Sequence, residues 1–473
     1  MYITILGSCT VIQFPEQIEQ FFCNDNLVDV RNGHKMEMDA LPLLFLAEFQ
    51  YQTKLKHRII HAILANLVQS GGDLWRCGIW GFEETHLRFS AVALRLMLLE
   101  QREFEPALIT NCFKNHLMHS EKALGGRWFY HDSIETNRQP YYKPWTGGKC
   151  VDASAHNMLI LNTHIDTLIT LLMAKKLASK TLTVDQYIDE GLVALQNFIT
   201  NTHIVDGFKS AVDSIMRNIL LLSMSIKQQT IINKVVTRVV KKLYYNKLRY
   251  SVKQRINIRG FTDGFLERDV RLSGESLEYH VVNLWDMSRL LLWMHYTSYE
   301  HKSLVTALST QAINGLKFCY KSSLYTWFIR RISESKGINN EVLEAIAILT
   351  VLGYRYEWMG SLYLKYRKFS PPSVAILGID KTISGGASLQ NIHTNNPLID
   401  IIPFENELIF IANHSDQALA LNQLFQQEHP AQLYGCSILW ASKQQNEDLT
   451  PSIAANSIAV VKLNGSTQKG HFS

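Results

Sequence analysis

Apolar residues recur at helical spacing again and again between residues 55 and 353 of this 473-residue chain. In 55–69, for example, Ile59, Ile63 and Leu67 fall on one helical face, because residues about four positions apart are neighbours on a helix. Helices of similar length in close succession favour a toroid or solenoid over one compact bundle. We therefore predict a mainly α fold, an (α/α) toroid that is either incomplete or closed as a six-hairpin barrel. The same period predicts further helices at 85–100, 105–118, 155–176, 184–201, 206–223, 228–248, 275–297, 301–317 and 339–353.

Charge and hydrophobic period both change at Pro371-Pro372, a dipeptide that cannot continue a helix. Residues 1–372 carry 43 Lys+Arg and 34 Asp+Glu, whereas residues 373–473 carry 4 and 8. We therefore predict a toroid with the catalytic site at 1–372 and a small β-rich domain at 373–473. Within the second domain we predict strands at 374–377, 398–402, 408–412, 437–440 and 458–461, and one helix at 415–428.

Composition excludes several classes of protein. With 47% hydrophobic residues the chain is not globally disordered. None of its seven cysteines forms a C-x-x-C pair, so we expect neither a disulfide framework nor a cysteine-built zinc site. The N-terminus lacks the basic region of a secretory signal, and no apolar run reaches the ~18 residues of a membrane span. We expect a cytoplasmic protein with no transmembrane segment and no bound metal or cofactor.

A polar stripe interrupts the apolar helix predicted after Ser276. Tyr279, Asn283 and Asp286 lie at i, i+4 and i+7, so they share one helical face, and His280 lies beside them. Burying such groups without partners costs on the order of several kcal/mol. They therefore either pair with one another in the core or face a wet cleft. Both interpretations stay open, although four polar groups of acid–base-competent types favour the cleft.

A second apolar helix, predicted at 155–176, carries polar groups in the same way. Asn157 and His164 lie seven positions apart on one face, and Asn162 and Asp166 form an i, i+4 pair. The inner ring of a toroid would open onto its central cleft at the starts of such helices. Further polar and aromatic side chains near predicted helix starts are Trp80, His86 and Arg88, together with Arg127, Tyr130, His131 and Asp132 in the aromatic loop GGRWFYHDS.

Residues 214–262 contain 11 Lys+Arg and no Asp or Glu. One interpretation is a solvated helix face, and the other is an electrostatic footprint for a polyanion. No recognised nucleic-acid-binding motif accompanies the basic residues, so we do not expect nucleic acid as the partner. An acidic glycan or another anionic small molecule fits equally well, and nine Trp and nineteen Tyr offer flat surfaces on which sugar rings can stack.

Two of these segments resemble one known family. DGFLERD…LEYHVVNLWDMSRLL, within 263–291, is similar to the D-G-x-x-x-E-R…Y-H segment of heparinase II/III-like and alginate-lyase-type polysaccharide lyases. HNMLILNTHIDTLITLL, residues 156–172, resembles their N-H-x-x-x-N helix more loosely. The resemblance implies an (α/α) toroid followed by β-structure. It also implies a lyase that acts on a uronate-containing glycan, in a family whose members are commonly secreted or periplasmic.

Such a lyase removes the proton beside the uronate carboxylate and expels the oxygen at the 4-position. The chemistry needs a group that neutralises the carboxylate, a base, and a proton donor for the leaving oxygen. The resemblance implies Tyr279 or His280 as base and acid, with His164 and His131 as alternates. The predicted catalytic residues are Tyr279, His280, His164, Asn157 and Glu267, and the predicted substrate-binding residues are Arg88, Arg127, His131, Asn162, Arg268, Asn283 and Trp80.

Four other functions stay open. The same residues would serve a C5-epimerase, which returns the proton instead of expelling a leaving group. Glu267 and Asp286 would support glycoside hydrolysis if their carboxyl groups lie about 5–9.5 Å apart. A toroid-fold cyclase is a third alternative, although the chain lacks an aspartate-rich DDxxD or DxDD run. The fourth is a non-catalytic helical scaffold that binds an acidic partner through 214–262, in which the polar stripes are internal struts.

Overall fold

The fold is taken from a computed structural model of the chain. The structure describes single positions 135, 235, 264 and 266 and residues 3–5, 10–12, 86–99, 101–133, 159–178, 182–200, 277–299, 301–321, 340–368, 398–404, 408–421, 435–443 and 452–464.

Helices account for most of the described residues. They are α1 (Leu87–Leu99), α2 (Pro106–Met118), α3 (Leu161–Ala178), α4 (Asp185–Thr200), α5 (Leu277–Tyr296), α6 (Lys302–Lys321), α7 (Asn340–Val351) and α8 (Glu357–Arg367).

Strands are short and antiparallel. They are β1 (Ile3–Ile5), β2 (Thr10–Ile12), β3 (Ser120–Ala123), β4 (Gly126–Phe129), β5 (Ile399–Pro403), β6 (Leu408–Asn413), β7 (Leu419–Ala420), β8 (Gly435–Ala441), β9 (Ser452–Ile453) and β10 (Ser457–Asn464).

The chain divides into two compact units. The helical unit comprises 80–98 and 105–328, and the sheet unit comprises 1–79, 99–104 and 329–473. Helices α7 and α8 therefore belong to the same unit as the sheet. The domain boundary predicted at 372 stays a prediction, since 369–397 lies outside the described residues.

In the described part of the helical unit, six helices form three antiparallel hairpins. Ser90 at the start of α1 contacts His116 at the end of α2. Lys175 at the end of α3 pairs with Asp185 at the start of α4. In α5 and α6 the hairpin contact joins His280 to Cys319. The first helix of each hairpin is nearly all buried, which explains why its polar residues need partners inside the protein.

The first helices of the three hairpins run in the same direction. Along α1 and α3, Arg88 contacts the Asn162 carbonyl oxygen and Arg95, two turns further on, contacts Asp166. Along α3 and α5, Asp166 pairs with Arg289, and near the helix ends the Lys176 ammonium lies 5.1 Å from the Tyr296 ring centroid. The three helices are therefore parallel, and the N-terminal ends of α1 and α3 lie side by side. Because Arg88 in the first turn of α1 pairs with Asp286 in the third turn of α5, α5 begins about two turns before them.

A β-hairpin, β3–β4, packs on α4 inside this unit. Its turn requires positive φ at Leu124 and Gly125, 55° and 75°. Gly126 follows, and a Cβ added there would lie 2.1 Å from the Glu190 carbonyl oxygen, so only glycine allows this approach. The sequence did not predict this hairpin, because the stretch was interpreted as an aromatic loop.

In the sheet unit, a four-stranded antiparallel sheet has the order β5-β6-β10-β8. Alternate residues such as Ile409 and Ile411 pack into an apolar cluster on one face, whereas Phe410 packs against Tyr363 of α8 with ring centroids 5.2 Å apart. Successive side chains of β6 point to opposite faces of the sheet, and both faces are covered. This explains why β6 is apolar at nearly every position.

A buried carboxylate, Asp400 on β5, fastens α8 to this sheet. Arg367 Nε donates to both of its oxygens at 3.0 and 2.8 Å, and the Tyr363 hydroxyl donates at 3.1 Å. His414 Nε2 lies 2.5 Å from Asp400 Oδ2. Burial opposes ionisation of Asp400, but the His414 hydrogen bond and the Arg367 charge outweigh it and hold the pKa of Asp400 below its ordinary value.

The sequence-based elements agree with the structure wherever it describes them, with a few exceptions. Seven of the predicted helices and four of the predicted strands are confirmed, which establishes a mainly helical chain with a small antiparallel sheet towards its C-terminus. The helix predicted at 415–428 is wrong for 415–420, where a bend leads into β7, because Asn413 and Ser415 fold the backbone through their own hydrogen bonds. Helix α8 was not predicted. None of the described helices is long and apolar enough to cross a membrane.

Candidate functional site

A buried ion network joins α1, α3 and α5. Arg88 Nη1 and Nη2 donate to the two oxygens of Asp286 at 2.5 and 3.3 Å. Arg95 Nη1 donates to Asp166 Oδ2 at 2.9 Å. Arg289 Nη1 donates to both aspartates at 3.1 Å and so links the two pairs. Each of the three helices supplies charged groups to this network.

Charge and burial act together on the two aspartates. Burial disfavours the ionised form of Asp166, but Arg95, Arg88 and Arg289 outweigh it and hold the pKa of Asp166 well below its ordinary value. Burial, with the neighbouring charge of Asp166, raises the pKa of Asp286. Neither aspartate is exposed at all. Asp286 of the polar stripe is therefore paired in the interior rather than facing a wet cleft.

The indole of Trp285 covers the network on one side. The Arg289 guanidinium carbon lies 4.1 Å from its ring centroid, and the Arg88 carbon lies 5.9 Å from it. Because Arg289 Nε and Nη2 have no hydrogen-bond partner, the aromatic face supplies the remaining electrostatic contact of that side chain. An alanine in place of Trp285 would leave this guanidinium group under-satisfied.

His164 lies on the opposite side of α3 from this network. The Phe129 backbone N–H donates to His164 Nδ1 at 3.3 Å, so the proton is on Nε2, which donates to the Gly191 carbonyl oxygen at 3.1 Å. The Trp128 indole stacks on the imidazole with ring centroids 3.9 Å apart. Burial lowers the pKa of His164 to about 3, despite the Gly191 hydrogen bond. These contacts hold α3 against β4 and α4.

His280 has an equivalent position on α5. The Leu266 backbone N–H donates to Nδ1 at 2.9 Å, and Nε2 lies 3.4 Å from Cys319 Sγ. The ring is fully buried and lies 3.4 Å from where a Cβ on Gly315 would be. The structure therefore does not bring His164 and His280 together into a water-accessible hollow. Each imidazole instead packs its own helix against the outer layer of its hairpin.

A different set of polar groups converges at the N-terminal ends of α1 and α3. We call it the helix-start cluster. The His131 and His86 rings meet edge to face with centroids 4.1 Å apart, and His131 Nδ1 lies 2.6 Å from Thr163 Oγ1. The His131 carbonyl oxygen accepts a 3.0 Å hydrogen bond from the Leu87 N–H. The cluster consists of His86, Arg88, His131, Asp132, Glu135, Asn162 and Thr163.

Every residue of the cluster is buried, but several of its side chains keep slightly more exposure than the two aspartates of the ion network. His131 is 7% exposed and Glu135 6% exposed. Glu135 Oε1 accepts hydrogen bonds from the backbone N–H groups of His131 and Asp132 at 3.1 and 3.2 Å. Burial raises the pKa of Glu135 to about 8. Asn162 Oδ1 is buried and has no hydrogen-bond partner, which is costly unless another group comes to pair with it.

The remaining predicted site residues divide into three groups. Arg127 lies apart from the cluster on β4, where its Nε donates to Glu190 Oε2 at 2.7 Å. Tyr279 and Asn283 lie on the first turns of α5, the former partly exposed and the latter buried. Outside the described residues lie Trp80, Asn157, Glu267, Arg268 and the basic stretch 214–262.

Sequence reasoning missed several residues that the structure makes central. Arg95 and Arg289 lie in apolar helices, seven positions from Arg88 and three from Asp286. An arginine among apolar neighbours at these spacings indicates a buried ion pair. This signal could have identified both residues from the sequence. Asp132 was named only as part of an aromatic loop. Glu135 and Thr163 carried no signal, because only the fold brings them beside His131.

The chain was compared with known proteins. No family model, no curated protein and no solved structure matches it. The resemblance to polysaccharide lyases therefore stays a prediction. In the described part of the chain, no three His, Cys, Asp or Glu side chains are grouped so that they could hold a metal ion.

Because two imidazoles are buried in their neutral form, we expect the protein to lose stability in acid. Burial lowers the pKa of both His116 and His164 to about 3. A folded-state pKa below the ordinary 6.5 gives stability that is complete above pH 6.5 and is lost as the pH falls below it. For each imidazole we expect a loss of about 1.4 kcal/mol in unfolding free energy per pH unit. Urea unfolding between pH 7 and pH 5 measures this slope.

The variant His116→Asn provides the comparison for this slope. It removes one of the two imidazoles whose pKa burial lowers to about 3 and should reduce the slope clearly, whereas His295→Gln, at an exposed position, should leave it unchanged. An unchanged slope in His116→Asn would mean that the buried imidazoles do not cause the acid sensitivity.

Proposed function

We propose that this protein is a carbohydrate-active enzyme that acts on an acidic, uronate-containing glycan by proton abstraction and β-elimination. The proposal places its site at the helix-start cluster. The observation that carries it is the parallel course of α1 and α3, which brings two helix N-termini and a set of imidazole, guanidinium, amide and carboxyl groups together at one end.

Parallel helices favour an anionic ligand at this end. Each helix dipole places about half a positive charge at its N-terminus, and the ends of α1 and α3 add their fields at the helix-start cluster. Arg88 lies beside both ends and is held rigidly by Asp286, whose carboxyl group offsets part of its charge. A uronate carboxylate is an anion that such a field stabilises, most of all when charge builds up on it in the transition state.

The helix-start cluster contains the groups that proton abstraction needs. When His131 Nδ1–H donates to Thr163 Oγ1, the lone pair is on Nε2, which can take up the proton at C5 of the uronate. Thr163 then orients the imidazole, and Arg88 with Asn162 stabilises the carboxylate. Loss of the C5 proton and cleavage of the C4–O4 bond leave a C4–C5 double bond. Returning the proton to the other face of C5 would give the epimerase alternative.

The arrangement of the helices into a toroid is part of the same proposal. We infer an (α/α) toroid, supported by the three antiparallel hairpins of the described residues, whose first helices are parallel, buried and linked by ion pairs. The cytoplasmic location belongs to the proposal as well, and the buried thiols of Cys112 and Cys319, which form no disulfide, agree with a reducing compartment.

An absorbance assay tests the function. Purified protein is incubated with alginate, pectate, hyaluronan, chondroitin sulfate and heparan sulfate, and the ultraviolet absorbance of the unsaturated uronate is followed. We expect product from at least one glycan. If none absorbs, deuterium uptake at C5 in heavy water tests the epimerase. Failure of both assays on all five glycans would overturn the proposal.

A second candidate, a non-catalytic helical scaffold, is favoured by a separate observation. His164, His280, Asp166 and Asp286 are all completely buried and bonded within the protein, as internal struts would be. A scaffold would retain a folded helical unit and show no turnover, so the assays above separate the two functions.

A further inference from the structure

Glu135 is a buried carboxyl group that the reaction steps above leave unused. Its own N–H donates to the Asp132 carbonyl oxygen at 3.2 Å, while its Oε1 accepts two backbone N–H groups from residues 131 and 132. These bonds close a tight loop and fix the carboxyl group beside the backbone of His131. No described residue donates a hydrogen bond to its second oxygen, Oε2.

The surroundings of Glu135 favour its neutral form. Burial raises its pKa to about 8, and the charges of Asp132 and Glu121 act in the same direction, while the two N–H groups oppose them. His131 and Asp132 are the other titratable groups of this loop. Because Oε1 already accepts two N–H groups, the acidic proton is on Oε2. A carboxylic acid that stays protonated at neutral pH is the usual form of a general acid in glycan chemistry.

We propose that Glu135 is the proton donor to the leaving oxygen, an inference that rests on the proposed function. In the step, the base takes the C5 proton, and the electrons of the C5–H bond form the C4–C5 double bond. The C4–O4 bond breaks, and Glu135 Oε2 gives its proton to O4, so that the released glycan end carries a hydroxyl group. Glu135 is left as a carboxylate and recovers its proton from water, while the base returns its own.

The variant Glu135→Gln tests this role with two substrates. One is a 4-O-glycosyl uronate, whose sugar alkoxide needs a proton to leave, and the other is a 4-O-aryl uronate, whose phenolate leaves without one. We expect a loss of about 10²-fold or more on the glycosyl substrate and a small loss on the aryl substrate. The matched control Glu105→Gln, at an exposed position with no capping hydrogen bond, should keep full activity on both.

A stability measurement gives a second readout that does not depend on turnover. A folded-state pKa raised from 4.5 to about 8 gives stability that is complete below pH 4.5 and is lost as the pH rises through 8. Urea unfolding of the wild type should therefore weaken between pH 6 and pH 9, and Glu135→Gln should lose much of this dependence.

The outcomes separate the two proposals. A wild type inactive on both uronates and on the five glycans would overturn the proposed function and this role with it. Equal losses on the two substrates in an active, folded variant would overturn the role of Glu135 alone. So would an unchanged pH dependence of stability. A selective loss on the glycosyl substrate, together with the altered pH dependence, would establish it.

Discussion

Replacing Asp166 by Asn is expected to lower the free energy of unfolding by about 3–5 kcal/mol. The side chain keeps its shape but loses the charge that compensates Arg95 and Arg289 at 2.9 and 3.1 Å. Both guanidinium groups stay in the interior, where an unpaired charge is far costlier than a surface one. Chemical unfolding followed by circular dichroism measures the change, and the helical signal reports whether the variant still folds.

The control for this change is Asp185→Asn. It removes an aspartate from α4, the helix that forms a hairpin with α3. Asp185 is exposed and pairs with Lys175, so its loss should cost at most about 1 kcal/mol. Equal effects of the two substitutions would contradict a buried ion network that holds the three parallel helices together.

Replacing His131 by Gln is expected to lower the turnover rate on the glycan that the wild type cleaves by about 10²–10⁴-fold. Glutamine keeps a polar group that can bond Thr163, 2.6 Å from the imidazole in the wild type, but it cannot take up a proton. The Michaelis constant should change little, because carboxylate binding is assigned to Arg88 and the helix termini. Initial rates at several substrate concentrations give both constants.

His295→Gln serves as the control for this variant, since His295 lies on the exposed last turn of α5 and far along that helix from its start. It should keep wild-type turnover. Normal turnover in a folded His131→Gln protein would remove His131 from the mechanism and leave Tyr279, which lies on the first turn of α5, as the candidate base.

The sequence predicts the local fold well, because periodicity is a local property. The helix predicted at 275–297 is observed as Leu277–Tyr296, and the strand predicted at 408–412 as Leu408–Asn413. The hairpin β3–β4 was missed because it depends on packing against α4, where Gly126 touches the backbone of residue 190. Such a contact has no signature in a single sequence.

The candidate site could be predicted only in part. Arg88 and His131 were singled out from their positions near predicted helix starts, and Asn162 from its i, i+4 spacing to Asp166. The structure brings the three into one region with Thr163. The partners of the polar stripes could not be predicted, because each lies far away in the sequence: Asp286 pairs with Arg88, 198 positions earlier. The spacing left two interpretations of Asp286 open. The structure agrees with the one in which Asp286 is paired inside the core.

Hydrogen–deuterium exchange tests the central claim, that the neighbouring starts of the parallel helices α1 and α3 bind a uronate. The wild type is measured alone, with an acidic glycan oligosaccharide, and with the same oligosaccharide after reduction of its carboxyl groups. We predict slower exchange in 86–90, 131–135 and 161–164 with the acidic glycan only, and no change in 174–178 at the far end of α3. Slowing by both oligosaccharides alike, slowing only elsewhere, or no slowing at all would contradict this account.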